Sequence, residues 1–393
     1  MADKKFRLPD VLSISFAHFF HDVYTSFLAP LLPLLFDKFG MNFFLSGSLS
    51  VIQRSPSLLN PFVGMLAERM KMRFLIIISP GLTASAMSLI GVAPHYIILI
   101  LLLFVSGISS TLFHVPTPVM IRRVSGDRIG KGMSFYMLGG ELARSVGPLV
   151  IVAAVSLWGL EGTWRVMPVG IATSIVLYFR FRDIKIGGEF QKDTRLVGFK
   201  ETFKQYLPLF TWISGFTFFR GAIRSALALY LPMYLKIEGH SLWFAGISLS
   251  VLQLAGAAGT FFSGTISDKL GTGKTLIIIC IVTPLLMWLF LTTDGVWTIP
   301  VLIILGIFLV APTPVILAIV NGTKSQHQAF LNGIYMGLNF LLNAIILIIV
   351  SYIADRIGLK ETFFITIFIS IPAILFVYLI KKCVDKMKLM GEL

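Results

Sequence analysis

Residues 16–36 read FAHFFHDVYTSFLAPLLPLLF, a run long and apolar enough to cross a lipid bilayer as an α-helix. Three ionisable side chains lie within it, those of His18, His21 and Asp22. Helical residues three and four positions apart share a face, so these three side chains are predicted to lie together. Ionisable groups at membrane depth are costly and mark pathways or binding sites, which makes this face the first candidate site.

The composition places the whole chain in a membrane. Of 393 residues, 56% are hydrophobic and 13% are charged, and the mean hydropathy is +0.86. A soluble domain carries about twice that charged fraction. The first apolar stretch is too long for a cleavable signal peptide and lacks a small-residue cleavage site, so none is expected. Two cysteines cannot form a disulfide framework.

Stretches of about 20 apolar residues predict an all-α membrane protein. Most of the loops between them are short, and the longest polar loop covers residues 181–204. The twelve predicted spans are 11–36, 43–66, 74–93, 95–120, 132–157, 164–180, 206–235, 241–267, 275–293, 297–320, 328–353 and 361–381.

The positions of lysine and arginine predict the orientation. Cytoplasmic loops are enriched in these residues, and an N-terminus placed inside gives that arrangement with both termini cytoplasmic. This distribution explains the net charge of +14 by topology and excludes a nucleic-acid partner. The loops on the outside then hold Lys38, Arg165, Lys236, Arg356 and Lys360.

Internal repetition indicates a duplicated six-helix unit. The matching pairs are VPTPV at 115–119 with APTPV at 311–315, Tyr136-Met137 with Tyr335-Met336, and Phe20-His21 with Phe219-Arg220. An even number of spans gives both copies the same orientation, which predicts parallel repeats. We therefore expect an N-terminal six-helix bundle at 1–181, a cytoplasmic linker at 182–204 and a C-terminal six-helix bundle at 205–393.

The loops after spans 2 and 8 carry a second repeated motif. It consists of a glycine, an acidic residue and then basic residues: Gly64, Glu68, Arg69, Lys71 and Arg73, and again Gly264, Asp268, Lys269, Gly271 and Lys274. This motif resembles the signature of the major facilitator superfamily. The resemblance implies twelve helices in two bundles, alternating access, and a gating role in which the carboxylate stabilises one conformational state. Ordinary loop charge is the alternative explanation.

Span 5 carries a further resemblance. Residues 139–148, GGELARSVGP, are similar to the Gly-Pro motif of the drug–proton antiporters in that superfamily, and residues 113–116 with 123–126 resemble its fosmidomycin-resistance branch. Many drug antiporters have an arginine in span 4, four residues before a glycine. Leu103 stands at that position before Gly107 here, so a basic residue in this role must come from elsewhere.

Asp22, His18 and His21 are the first candidates for proton coupling, since a desolvated carboxylate favours its protonated form and histidine titrates near neutral pH. Buried packing contacts are the alternative. His114 could complete a metal site with these residues, but no metal is predicted. Glu141 and Arg144, at i and i+3, form either a neutral pair or a second proton-coupling site.

Arg220 and Arg224 lie one helical turn apart in span 7, which contains no acidic residue. Guanidinium groups bind carboxylates and phosphates, so a substrate anion is the predicted partner. Arg224 could instead extend to the outer surface. Arg54 in span 2 is another candidate, with Asp22 or Glu141 as its partner.

Further polar residues are predicted to line a substrate cavity between spans 1, 4 and 5 of one half and spans 7, 10 and 11 of the other. Helix-to-helix hydrogen bonds are the alternative role. These residues are His114, Tyr136, Tyr335, Asn339 and Asn343.

Together these features predict a proton-coupled secondary transporter that works by alternating access. The resemblance implies an efflux antiporter for small amphipathic compounds, and the arginines favour anionic or zwitterionic ones. The runner-up is an importer or exchanger of an organic anion or metabolite on the same fold. A membrane-embedded enzyme or receptor is the alternative from another class, and no enzymatic motif supports it. We expect a monomer in the inner cell membrane, with a small-molecule substrate and the lipid bilayer as partners and no cofactor besides the coupling proton.

Overall fold

The computed structural model describes residues 6–60, 72–182, 199–325 and 328–390. Within these ranges the chain forms α-helices and short 3-10 helices joined by turns, with no strand. The helices of the first part are α1 (Leu8–Thr25), α2 (Leu28–Phe39), α3 (Phe43–Arg54), α4 (Met72–Ser88), α5 (Tyr96–His114), α6 (Thr117–Val124), α7 (Ile129–Trp158) and α8 (Met167–Phe181).

The second part continues in the same way. Its helices are α9 (Phe199–Ile237), α10 (Leu242–Leu270), α11 (Thr272–Leu291), α12 (Thr298–Val310), α13 (Pro312–Asn321), α14 (Gln328–Ile357), α15 (Leu359–Ser370) and α16 (Ala373–Leu389). Short 3-10 helices cover Ser55–Leu59, Ile90–Val92, Glu161–Val166 and Gly295–Trp297.

Nine stretches of the described residues are long and apolar enough to cross a membrane: Leu8–Phe39, Arg73–Val92, Tyr96–His114, Ile129–Trp158, Leu242–Leu270, Thr272–Leu291, Gly295–Asn321, Phe330–Ile357 and Leu359–Leu389. The other three predicted spans correspond to α3, α8 and α9. Of these, α9 has 39 residues and contains two arginines. The predicted all-α, membrane-spanning fold is confirmed.

Within the described residues, four predicted spans each divide into two α-helices. Span 1 breaks between Thr25 and Leu28, span 4 after His114, span 10 at Ala311 and span 12 after Ser370. A proline follows each break, at Pro30, Pro116, Pro312 and Pro372, and proline cannot donate the backbone hydrogen bond that continues a helix. At the first break, the hydroxyls of Thr25 and Ser26 donate instead to the carbonyls of Asp22 and Val23.

The chain divides into two compact units. Unit 1 comprises Met1–Lys192 and Leu235–Ser250, and unit 2 comprises Asp193–Tyr234 and Val251–Leu393. The predicted linker at 182–204 lies largely outside the described residues, but residues 199–204 form the beginning of α9. The domain boundaries proposed from the sequence stay a prediction.

Glycines let α1 and α7 approach closely in unit 1. A Cβ atom at Gly139 would lie 2.5 Å from the carbonyl oxygen of Ser15, and one at Gly140 would lie 2.5 Å from Cε1 of His18. Small residues at such positions permit backbone contact between membrane helices. This approach places His18 directly against α7. The core beside it includes Val11, Ile14 and Phe113.

In unit 2, α9 and α14 are joined by polar contacts. Tyr230 Oη lies 2.7 Å from Ser351 Oγ, and Ser225 donates to Asn343 Oδ1 at 3.3 Å. The core around the first half of α9 is apolar. It includes Phe216, which is fully buried. Residues 216–224 are thereby fixed against α13 and α14.

The close approach at Gly140 gives a first prediction. In Gly140→Ala, the added methyl group overlaps the His18 ring, and overpacking of this kind destabilises by about 1–3 kcal/mol. We expect a lower melting temperature in detergent at a fixed scan rate. Gly130→Ala in the same helix is the control, since a Cβ there meets nothing within 4 Å. Equal melting temperatures for the two variants would contradict the packing argument.

Candidate functional site

The carboxylate of Asp22 lies among three histidine rings. Its Oδ1 atom is 2.9 Å from His21 Nδ1 and 3.1 Å from His114 Nε2, and its Oδ2 atom is 3.2 Å from His18 Nε2. His18, His21 and Asp22 are buried. The structure brings these three together, as their spacing predicted, and adds His114. We refer to the four residues as the Asp22 cluster.

His114 reaches the cluster because it is the last residue of α5. Pro116 follows, so the helix ends there and a separate helix, α6, begins at Thr117. The side chain of His114 is 36% exposed, compared with 8% for Asp22. His114 is therefore the member of the cluster that solvent or a ligand reaches first.

His21 is held by a series of hydroxyl groups on α4 and α5. Its Nε2 atom lies 3.0 Å from Thr83 Oγ1, Thr83 donates to Ser109 Oγ at 2.7 Å, and Ser109 donates to the carbonyl oxygen of Ser79 at 2.9 Å. This series connects three helices at buried positions. In the membrane interior such bonds replace those that water would supply.

His18 is held by α7. Its Nδ1 atom is 2.7 Å from the carbonyl oxygen of Tyr136, and its ring stacks on the Tyr136 ring with centroids 4.0 Å apart. The ring of His21 stacks on Phe113 at 4.5 Å. The hydroxyl of Tyr136 lies 3.3 Å from His114 Nδ1. Each imidazole thus has one nitrogen toward Asp22 and the other toward a second partner.

This arrangement is suited to binding cations, and in particular to binding protons. A carboxylate and three imidazoles form a connected set of groups that accept and donate protons. Donor atoms of His18, Asp22 and His114 also lie within 4.8 Å of one another. The expectation of no bound metal stays a prediction.

The remaining charged candidates of unit 1 lie on α7 and α3. Arg144 and Glu141 form an ion pair at 3.2 Å, with side chains 43% and 24% exposed. Arg54 is exposed at the end of α3. Of the two carboxylates predicted as its partner, Asp22 contacts histidines and Glu141 contacts Arg144.

In unit 2, Arg220 is 8% exposed and lines an open concavity. Among the described residues, neither its Nε nor its Nη2 atom has a hydrogen-bond partner. The described lining residues include no acidic side chain. They are Phe216, Thr217, Arg220, Gly221, Arg224, Pro312, Thr313, Ile316, Tyr335, Asn339 and Asn343.

The structure thus places Tyr335, Asn339 and Asn343 beside the two arginines, within one unit. The amide nitrogens of Asn339 and Asn343 donate to carbonyl oxygens of their own helix, at 3.1 Å and 2.6 Å. One amide hydrogen of each asparagine is therefore used within α14, and Arg220 adds the Nε and Nη2 donors, which have no partner among the described residues.

The gating candidates are only partly described. Gly64, Glu68 and Arg69 lie outside the described residues. Arg73 is half-buried near the start of α4 with its guanidinium 5.0 Å from the Phe74 ring. Gly264, Asp268 and Lys269 lie in the last turns of α10, where both charged side chains are exposed. Their gating roles stay a prediction.

Asp10 is a buried charge that its sequence context does not mark as a candidate. It is 2% exposed and forms ion pairs with Arg7, one turn earlier in the chain, and with Arg180 of α8 at 2.7 Å. These contacts fix the start of α1, the helix that carries the Asp22 cluster. An acidic residue among basic ones at a helix start does not by itself reveal such a partner.

The family model of the Major Facilitator Superfamily matches residues 14–336. The chain belongs to this superfamily. It is therefore a multi-pass membrane transporter, not an enzyme, as the repeated loop motif indicated.

Two curated relatives match most of the chain. It is 25% identical to the fosmidomycin resistance protein of Escherichia coli over 383 residues, covering 93% of this chain and 91% of the relative. An uncharacterised MFS-type transporter of Bacillus subtilis is 22% identical over 376 residues, with the same coverage.

Solved structures show the same fold. A bacterial homologue of the human lysosomal transporter Spinster, in an inward-facing and unoccupied conformation, has a TM-score of 0.82 at 16% identity and 98% coverage of both chains. A D-xylose–proton symporter has a TM-score of 0.74 at 13% identity, covering 95% of this chain and 98% of the other.

The hydroxyl series beneath His21 gives a second prediction. Thr83→Val keeps the side-chain shape but leaves the His21 nitrogen and the Ser109 oxygen without their partner. An unsatisfied buried polar group costs about 1–3 kcal/mol, so we expect a lower melting temperature. Thr83→Ser keeps the hydroxyl and is the control. A valine variant as stable as the serine variant would show that this hydrogen bond does not hold His21.

Proposed function

We propose that the chain is a proton-coupled secondary transporter whose proton site is the Asp22 cluster. The observation that carries this proposal is a buried carboxylate with three imidazole nitrogens at 2.9–3.2 Å. Histidine changes charge near neutral pH, and a change of charge alters every contact in such a cluster. Protonation can then bias the equilibrium between two conformations that open to opposite sides of the membrane.

We propose further that transport is export, by exchange of solute against protons. The fosmidomycin resistance protein supports this direction, since export of a toxic compound produces resistance to it. Protons that enter down their gradient then drive the solute outward. The alternative is an importer or exchanger of an organic anion or metabolite on the same fold, for which solute would accumulate inside.

The proposed substrates are small amphipathic compounds that carry an anionic group, zwitterions included. Arg220 supports this class, because a buried guanidinium with unsatisfied donors binds carboxylate or phosphate-like oxygens well. Apolar side chains of Phe216 and Ile316 line the same concavity and suit the rest of an amphipathic molecule. Glu141 and Arg144 are retained as a second proton-coupling pair.

The proposed location is the inner cell membrane with both termini in the cytoplasm. The distribution of lysine and arginine over the loops supports this orientation. The proposed working form is a monomer that needs no cofactor besides the coupling proton.

Replacement of Asp22 tests the coupling. In proteoliposomes, with fosmidomycin first in a panel of compounds, Asp22→Asn should abolish accumulation driven by a pH gradient. It should leave solute-for-solute exchange in the absence of a gradient, because exchange requires no net proton transfer. Asp37→Asn is the matched control, as Asp37 is exposed at the end of α2. Gradient-driven transport that persists in Asp22→Asn would assign Asp22 a structural role.

Replacement of Arg220 tests the substrate class. Binding is measured by thermal shift, using pairs of a carboxylic acid and its uncharged methyl ester. Arg220→Ala should weaken binding of the acid about 10-fold or more, since a hydrogen bond to a charged group contributes about 1.5–3 kcal/mol. Binding of the ester should change little.

Two further variants complete that test. Arg220→Lys keeps the charge and should retain part of the preference for the acid, while Lys236→Ala removes an exposed positive charge at the end of the same helix and should have no effect. An equal loss of affinity for acid and ester in Arg220→Ala would exclude Arg220 as an anion ligand.

A further inference from the structure

The hydrogen-bond acceptors around His21 determine where one of its protons lies. The carbonyl oxygen of Ser79 can only accept, so the hydrogen of Ser109 Oγ points to it. Thr83 Oγ1 then donates its hydrogen to Ser109 Oγ. Thr83 Oγ1 has no second hydrogen, so it accepts its bond from His21, and Nε2 of His21 carries a proton.

The same reasoning applies to His18. Its Nδ1 atom lies 2.7 Å from the carbonyl oxygen of Tyr136, which can only accept. Nδ1 of His18 therefore carries a proton. In a neutral imidazole the other nitrogen has a lone pair and no hydrogen, and in both rings that other nitrogen faces Asp22.

Two neutral rings and an ionised Asp22 would therefore be an unfavourable combination. His21 Nδ1 and Oδ1 would face each other at 2.9 Å, and His18 Nε2 and Oδ2 at 3.2 Å, with lone pairs on both sides and no hydrogen between them. Each contact becomes a hydrogen bond when one proton is added, whether that proton lies on the ring or on the carboxylate.

His114 differs from the other two histidines. Its Nδ1 atom lies 3.3 Å from the hydroxyl of Tyr136, and a hydroxyl can donate as well as accept. A neutral His114 can therefore accept from Tyr136 at Nδ1 and donate from Nε2 to Asp22 Oδ1 at 3.1 Å. This contact needs no additional proton.

We propose that the Asp22 cluster in this conformation holds two protons more than an ionised Asp22 with three neutral rings, one in the His21–Asp22 contact and one in the His18–Asp22 contact. Loss of either proton makes one contact repulsive, so that Asp22 rotates away from that ring. The proposal deepens the proposed proton coupling, since these two contacts are the positions from which protons can be delivered.

No other described charge facing the cluster alters this count. On the helices packed against α1, the titratable groups that face it are His114 of α5 and Tyr136 of α7. Also on α7, Arg144 pairs with Glu141, and Arg180 of α8 pairs with Asp10 at the start of α1. α4 contributes the hydroxyl of Thr83, which is occupied.

The experiment locates the protons directly and needs no transport. Full-length protein with ¹⁵N-labelled histidine is placed in lipid nanodiscs near neutral pH, and ring-nitrogen signals are recorded by solid-state NMR. We expect every ring nitrogen of His18 and His21 to take part in a hydrogen bond, either by carrying the proton or by accepting it from Asp22. We expect His114 to be a neutral ring protonated at Nε2. An unprotonated, unbonded nitrogen on His18 or His21, or an imidazolium at His114, would overturn the proposal.

Two isosteric variants assign the signals and keep the structural hydrogen bonds. His18→Asn retains a donor near the Nδ1 position, facing the Tyr136 carbonyl, and removes the nitrogen that faces Asp22. His21→Gln retains a donor near the Nε2 position, facing Thr83, and likewise removes the other nitrogen. Each variant should lose one shared proton, with the other contact kept. His240→Gln, at a position outside the cluster, should leave all cluster signals unchanged.

A chelator separates protons from a metal ion. Addition of EDTA should leave the histidine signals unchanged if protons occupy the two contacts, and changed signals would overturn the proposal in favour of a metal. Because these readouts are independent of solute movement, they can succeed where Asp22→Asn shows no coupling, or fail where it does.

Discussion

The lipid bilayer offers no water to a carboxylate, so Asp22 requires partners from the protein itself. Three imidazoles provide them, and these rings in turn require partners. His18 finds the carbonyl oxygen of Tyr136, and His21 finds a series of hydroxyls that ends at the carbonyl oxygen of Ser79. The polar network is thus terminated by backbone acceptors on two helices. The orientation of α1 relative to α4, α5 and α7 follows from this requirement as much as from apolar packing.

The same requirement explains why glycine occurs where α1 meets α7. A hydrogen bond of 2.7 Å from a histidine ring to a backbone carbonyl demands that the two helices nearly touch. Side chains at positions 139 and 140 would prevent that approach, since Cβ atoms there would overlap Ser15 and His18. The glycines that resembled an antiporter motif therefore have a direct physical purpose in this chain. They allow Nδ1 of His18 to approach the carbonyl oxygen of Tyr136 to 2.7 Å.

Much of the fold was accessible from the sequence because its signals are local. Hydropathy predicts the spans, and helical spacing places His18, His21 and Asp22 on one face. The internal breaks were missed because an apolar run conceals them, although Pro116 and Pro312 stand directly after two of them. The site was only half predictable. Thr83 and Ser109 look like ordinary small hydroxyls in apolar helices, and nothing in their spacing shows that they support a histidine 62 residues away from Thr83.

The two units treat charge in opposite ways, and the repeat makes the contrast sharp. His21 and Arg220 occupy corresponding positions in the duplicated sequence. In unit 1, the position holds a titratable ring beside a carboxylate, and the proposed role of the cluster is to adjust its charge by binding protons. In unit 2, it holds a guanidinium that does not deprotonate in practice, and the described lining of its concavity offers no carboxylate. Because the guanidinium has unsatisfied donors among the described residues, we propose a ligand anion as its partner. Duplication followed by this divergence therefore favours a division of roles, with proton exchange assigned to the first unit and anion binding to the second.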